Sequence, residues 1–268
     1  MKYLVLGSAG QIGSHLVPYL KEHGHDVMTF DIVDNVMEDL RIKNNFILIN
    51  MIEQCDFVFF LAFDVGGSKY LSKYQNTFDF LTNNTQIMDY TFSLLKKYQK
   101  PFIFSSTQMS NMDWSSYGVQ KRVGEYYTNC LGGLVVKFWN VYGIEKDEEK
   151  SHVITDFIKK ALTTGKIDML TDGSESRQFL YADDCSECLY ILSQKYNELD
   201  KSKNYHLTSF EWTSILEVAN IVSSHIPCDI IPSNKQDMIH NGMKNKADDF
   251  ILNYWKPKTS LIEGIEKM

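Results

Sequence analysis

The chain has 268 residues, 44% of them hydrophobic, which suits one large α/β domain or a nucleotide domain with a small partner lobe and excludes wholesale disorder. The formal net charge is −7 with no long basic run, which disfavours non-specific binding to nucleic acid or to an anionic membrane. Five cysteines, an odd number, do not suggest a disulfide framework.

Residues 3–6 read as a strand that starts almost at once. No charged leader with a cleavage site precedes it, and no apolar run is long enough to span a bilayer, so a cytoplasmic location is expected. Residues 11–23 read as an amphipathic helix and 26–30 as a second strand. The short apolar runs 56–62, 101–105 and 134–138 suit strands buried on both faces. Helices are expected over 84–98, 116–130 and 153–163. Strands alternating with helices imply a doubly wound, Rossmann-type parallel sheet covered on both sides. The charged stretch 145–150 is the best boundary. It divides a nucleotide domain (1–144, with a return segment near 177–205) from a smaller substrate lobe (145–176 and 206–268). The lobe holds a turn over 171–174 and a lysine-rich tail. Cys185 and Cys188 open an apolar helical stretch and share one face. They read as a packed thiol pair, and no second pair supplies the other ligands of a structural zinc, so no metal is expected.

Gly7, Gly10 and Gly13, with Gln11 and Ile12 between the last two, lie between the first strand and the first helix. Glycines there allow a tight turn and close approach of a pyrophosphate, and the helix N-terminus supplies free N–H groups. Asp31 ends the second strand, eighteen residues after Gly13. Its carboxylate can accept from ribose hydroxyls and repels a 2′-phosphate, which favours NAD over NADP.

Tyr117 and Lys121 stand four residues apart on a helix and so share a face. An ammonium near a phenol favours the phenolate, so the tyrosine can take a proton from a sugar hydroxyl while hydride leaves for a nicotinamide. Thr107, after Ser105 and Ser106 at the end of the 101–105 strand, can hold the same substrate oxygen.

With these motifs in place, the chain resembles the extended short-chain dehydrogenases/reductases, the NAD-dependent nucleotide-sugar epimerases and dehydratases. The resemblance runs nearly end to end. Asp39-Leu40-Arg41 resembles the segment that contacts adenine, and Leu61-Ala62-Phe63 the loop over the dinucleotide. The stretches 137–143, 172–184 and 255–264 resemble three further family segments. The resemblance implies NAD, a nucleotide-diphosphate sugar substrate, and substrate contacts at Asn140 and Arg177. A homodimer through the helices near 84–98 and 116–130 is also expected. Arg177 is one of only three arginines and alone lies in the C-terminal half. It suits a bidentate grip on a diphosphate, the alternative being an ion pair with Asp172 or Asp183.

Within the family, the segments around Gly66, around Asn83 and around Lys244 and Lys246 are similar to those of the GDP-mannose 3,5-epimerases. The two lysines stand where nucleotide-binding arginines are expected. Three departures stand out. Gln108, which cannot titrate, occupies the place of an acid/base cysteine. Only nine residues separate Thr107 from Tyr117, so part of the usual substrate cover is missing. His152, with Lys150 close by, stands where the second acid/base is a lysine. It precedes a helix whose dipole disfavours positive charge, which would keep the imidazole neutral and able to accept a proton.

These features favour an epimerase that retains NAD through a transient keto-sugar. A 4,6-dehydratase would need an Asp-Glu pair where Gln108 and Met109 stand. A nucleotide-sugar 4-epimerase, a keto-sugar reductase and a non-catalytic NAD-sensing protein are the alternatives.

Overall fold

The computed structural model describes residues 1–145, 147–237 and 245–268. The first half runs β1 (Lys2–Leu6), α1 (Gly13–Glu22), β2 (Asp26–Phe30), α2 (Phe46–Gln54), β3 (Phe57–Phe60), α3 (Ser68–Tyr74), α4 (Phe78–Tyr98), β4 (Phe102–Thr107), α5 (Ser116–Cys130) and β5 (Leu134–Phe138). The second half runs β6 (Asn140–Tyr142), α6 (Val153–Thr164), β7 (Lys166–Asp168), β8 (Ser176–Arg177), β9 (Phe179–Tyr181), α7 (Ala182–Gln194), β10 (Tyr205–Leu207), β11 (Thr213–Ser214), α8 (Ile215–His225), β12 (Asp229–Ile231) and α9 (Leu261–Glu266).

Six parallel strands form the main sheet in the order β10-β5-β4-β3-β1-β2. Alternation along each strand sends side chains to two separate cores. Tyr3 and Val5 of β1 pack with Leu16 and Leu20 of α1 and Leu189 of α7. Leu4 and Leu6 pack on the other face with Ile52 of α2 and Phe92 of α4. This is the doubly wound Rossmann-type architecture. The strand order reverses at β1, which has β2 on one side and β3 on the other, and the carboxyl ends of the strands there are where such folds bind ligands. A smaller core around Phe157, Ile167, Phe179, Val218 and Val222 forms the second lobe.

Among the helices, α2 and α8 were not legible in the sequence and α4 starts earlier than expected. Helix α2 (FILINMIEQ) carries an exposed phenylalanine, Phe46, on the same face as Asn50, Glu53 and Gln54, which blurs its apolar stripe; its signal is the Asn45 side chain, which caps Ile47 N and Leu48 N. Helix α4 starts at Phe78, six residues before the expected start, because Thr77 caps Phe80 N. Helix α8, capped by Ser214, lies in what reads as loop and tail.

The division into lobes also shifts. Residues 206 and 207 belong to the main sheet through β10, and Ile251 and Trp255 pack in the first core. The stretch around Ile251 and Trp255 therefore packs on the nucleotide domain, while Leu261 and Ile265 of α9 pack in the smaller core. Cys185 and Cys188 are fully buried on α7, and burial pushes both thiols well above their ordinary range. No described helix is long and apolar enough to cross a membrane.

Candidate active site

The glycines of the first loop serve different ends. Gly7 has φ +86°, in the left-handed region, and a Cβ there would meet Ala62 N at 2.7 Å. A Cβ on Gly13 would overlap the Gly7 carbonyl oxygen. These two let the turn close on itself and on the Leu61-Ala62-Phe63 loop. At Gly10 a Cβ would meet only the Gly7 oxygen, at 3.4 Å, so that face is open to a ligand. Ile12, at the start of α1, offers no side-chain cap, and the Ser8 hydroxyl is buried with no partner. A carbon-free cradle, an uncapped helix start and an orphaned hydroxyl fit a dinucleotide pyrophosphate. The Gln11 side chain donates to Val141 O at 2.7 Å, so it ties the loop to β6 and leaves its main chain to any ligand.

At the adenosine end, the Asp31 carboxylate accepts from Ala9 N and Val33 N, both at 3.0 Å. It thereby holds the glycine loop in place. Asp39 receives Arg41 Nε and Nη2 at 2.8–3.1 Å. Burial opposes its charge, but the Arg41 hydrogen bonds outweigh burial and hold the carboxyl below its ordinary value. Arg41 Nη1 also donates to Asn83 Oδ1 at 2.9 Å, and Asn83 Nδ2 donates to Asp64 Oδ2 at 3.2 Å. The Leu40 side chain is buried in the core, so only its main chain is available to a cofactor.

Thr107 ends β4, and its Oγ1 accepts from Met109 N at 3.2 Å and hydrogen-bonds Tyr117. Helix α5 brings Tyr117 and Lys121 to β4 because Gly124 lets it lie against Phe104, whose ring any Cβ there would overlap. Burial pushes the Tyr117 hydroxyl up to about 12 despite the Thr107 bond. Lys121 does not offset this. Its Nζ donates to Ser105 O at 2.6 Å and lies 3.9 Å from the Phe63 ring centroid, and burial pushes it down to about 7. Same-face spacing brings the two residues near, but the ammonium is held by the Ser105 carbonyl oxygen rather than by the phenol. Behind them, Lys137 Nζ lies 3.2 Å from Glu125 Oε1 and 2.9 Å from Ser110 Oγ, joining β5, α5 and the turn after Thr107.

A cavity of about 110 Å³ opens against the second lobe, lined by Asn140, Tyr142, His152, Glu175 and Arg177 among others, and none of Thr107, Tyr117 and Lys121 is part of its lining. Asn140 Oδ1 is buried without a partner and Glu175 Oε2 likewise. Arg177 Nη1 donates to Ser176 O at 2.8 Å, and Nη2 pairs with Asp237. The alternative pairings of Arg177 with Asp172 and Asp183 are thus replaced: Asp172 bonds Ser174, and Asp183 faces His15 at 3.5 Å. His152 precedes α6 as expected, but the helix dipole is not the only charge at its ring. Glu145 Oε1 lies 2.6 Å from His152 Nδ1, and Glu145 Oε2 accepts the His152 backbone N–H at 2.9 Å.

Other expected contacts sit differently. The space above Gly66 is filled by Tyr70 and by Lys150, whose Cα lies 2.9 Å from where a Cβ would stand, so this glycine admits the second lobe rather than a ligand. Gln108 is buried, and Asn245 Nδ2 donates to its Oε1 at 2.7 Å, so it anchors the C-terminal segment. Lys246 is exposed, and Lys244 lies outside the described residues. Sequence reasoning missed Asp64, Glu145, Glu175, Asp237 and Asn245. Asp64, Asp237 and Asn245 act on partners that only the fold brings near, Glu175 bonds Thr171 four residues before it, and Glu145 lies in a charged stretch that reads as solvated.

The family model described as NAD dependent epimerase/dehydratase family matches residues 3–208. GDP-mannose 3,5-epimerase 1 of Oryza sativa subsp. indica is 25% identical over 320 aligned positions, covering 99% of this chain and 80% of that protein. An epimerase from Methanothermobacter thermautotrophicus superposes with a TM-score of 0.83 at 20% identity, covering 99% of this chain and 90% of that one. UDP-glucuronic acid 4-epimerase from Bacillus cereus, solved with a UDP-sugar analogue and NAD, gives 0.82 at 22%, covering 99% and 97%.

Proposed function

We propose, from the premise that this chain belongs to the NAD-dependent epimerase/dehydratase family, that it epimerises a nucleotide-diphosphate sugar through a transient keto-sugar, with NAD as a cofactor it retains. The observation that carries this reading is the Thr107–Tyr117 hydrogen bond at the end of β4, and the cavity with the unpartnered Asn140 Oδ1 and with Arg177 supports it. NAD, when bound, supplies the hydride acceptor and later the donor. Tyr117 takes the hydroxyl proton and returns it, Thr107 orients that hydroxyl, and Arg177 grips the diphosphate. The resulting ketone acidifies the neighbouring C–H bonds, which is where His152 would act in a 3,5-type inversion of a sugar such as GDP-mannose. That finer reading draws on the His152 position in the cavity and on the likeness to the rice enzyme.

A 4-epimerase is the second reading. It is favoured by Gln108, which cannot titrate and which Asn245 holds in the place of the acid/base cysteine. The test is incubation of the enzyme with a panel of nucleotide sugars in heavy water. Deuterium at carbons beside the ketone supports the 3,5-type reaction, and inversion without deuterium supports the 4-epimerase. Net consumption of reduced cofactor would identify a keto-sugar reductase. Binding of NAD with no turnover on any sugar would leave an NAD-sensing protein.

A homodimer through α4 and α5 belongs to the same reading. Val119, Val123, Tyr126 and Tyr127 recur at helical spacing on α5, all exposed, and Phe78 and Leu81 expose their side chains at the start of α4. Sedimentation analysis tests it, with Tyr126→Glu expected to yield monomers.

A further inference from the structure

Glu145 joins β6 to α6, and its carboxylate is 7% exposed, yet it grips a single residue twice. One oxygen lies 2.6 Å from His152 Nδ1 and the other 2.9 Å from the His152 backbone nitrogen. Thr155, in the first turn of α6, also hydrogen-bonds this carboxylate. The backbone and Thr155 bonds are what a helix start needs. The ring bond is not required for capping, and it has a chemical consequence. A carboxylate accepts and does not donate, so the proton between the pair belongs on Nδ1 and the lone pair on Nε2. Among the described residues Nε2 makes no hydrogen bond, and His152 lines the same cavity as Asn140 and Arg177.

We propose that Glu145 is a positioning residue that fixes the tautomer and orientation of His152, so that Nε2 is the nitrogen presented to substrate as acid/base. This rests on the epimerase reading above. In the step it serves, the proton of the carbon beside the ketone moves to Nε2 and the bond pair passes into the enolate oxygen. A proton from water then returns to the opposite face of that carbon, and Nε2 releases its own proton to solvent. A buried carboxylate behind the ring stabilises the imidazolium formed on the way.

Two measurements test it. Nitrogen-15 resonances of His152 in the ligand-free protein, in mildly alkaline solution, are expected to show a pyrrole-type Nδ1 and a pyridine-type Nε2. Glu145→Gln keeps an acceptor for the helix start but can offer its amide to Nδ1, which favours the opposite tautomer. That variant is expected to lose solvent-deuterium exchange into the sugar by at least about tenfold. Its absorbance of transiently reduced cofactor and its substrate KM are expected to persist, which a merely structural loss would not allow. Thermal melting confirms folding, and Glu145→Asp, which restores a carboxylate, is expected to recover part of the exchange. A wild-type Nε2–H tautomer overturns the inference whatever the activity, as does undiminished exchange in Glu145→Gln. A wild-type protein that neither exchanges nor reduces its cofactor with any sugar overturns the epimerase reading instead, and the resonances still decide the tautomer.

Discussion

Lys121 and Ser105 are joined twice, the lysine Nζ donating to the serine carbonyl oxygen at 2.6 Å and to its hydroxyl at 3.2 Å. Burial pushes this ammonium down to about 7. An unfolded lysine titrates near 10.4, so between those values the unfolded chain holds a proton that the folded chain does not. Stability therefore rises with pH across that window, by at most about 1.4 kcal/mol per unit. Below it both states are charged and the cost of the buried ammonium is fully present. Denaturant melts of wild type and Lys121→Met from pH 6 to about 10 check this. The wild type is expected to gain on the variant as pH rises, and a flat difference would show that Lys121 stays charged.

Tyr117 sits at the other end of the same helical turn, its hydroxyl pushed up to about 12 by burial. In the ligand-free protein it is expected to ionise only at the alkaline end of a phenolate absorbance titration, read as wild type minus Tyr117→Phe. Addition of NAD, whose nicotinamide is cationic, is expected to move that onset downward. Tyr117→Phe is expected to cut turnover by about 10²–10⁴ while nucleotide-sugar binding survives. A variant keeping more than about a tenth of the rate would reveal another base.

Asp31 accepts from Ala9 N and Val33 N, so it holds the glycine loop to the turn after β2. The protein is expected to bind NAD much more tightly than NADP, since a 2′-phosphate would meet a carboxylate. Asp31→Ala is expected to narrow that gap while also weakening NAD, because the glycine loop loses its bond from Ala9 N and the turn after β2 its bond from Val33 N. Calorimetry with both dinucleotides checks this, and equal affinities in the wild type would defeat the assignment.

Arg177 is paired with Asp237, and both side chains are 12% exposed. The two variants are expected to act in opposite directions. Arg177→Leu is expected to weaken a free nucleoside diphosphate by about ten- to a hundredfold, the worth of a charge-assisted hydrogen bond, with little change in NAD. Asp237→Asn frees the guanidinium and is expected to tighten the same ligand. If Arg177→Leu lowers NAD affinity and spares the diphosphate, the arginine serves the fold rather than the substrate.

The amino-acid sequence by itself determined the alternating architecture and the chemistry-bearing motifs. Short apolar runs such as FVFF suit only strands covered on both faces, and the glycine loop and the Tyr117–Lys121 step are local spacings that need no knowledge of distant residues. Helix α2 was hidden because the exposed Phe46 opens its otherwise polar face and so blurs the periodicity. What tertiary structure decided was where each charge goes. Lys121 turned to a backbone carbonyl rather than to a phenol, Arg177 to Asp237 sixty residues on, and Gln108 to Asn245. The reason is physical: a buried charge or amide takes whichever partner the fold leaves within about 3 Å, and burial then sets its titration. Neither quantity is written in local spacing. Glu145 shows this most plainly, since a glutamate in a charged loop becomes the buried partner of His152 only once β6 and α6 are in place.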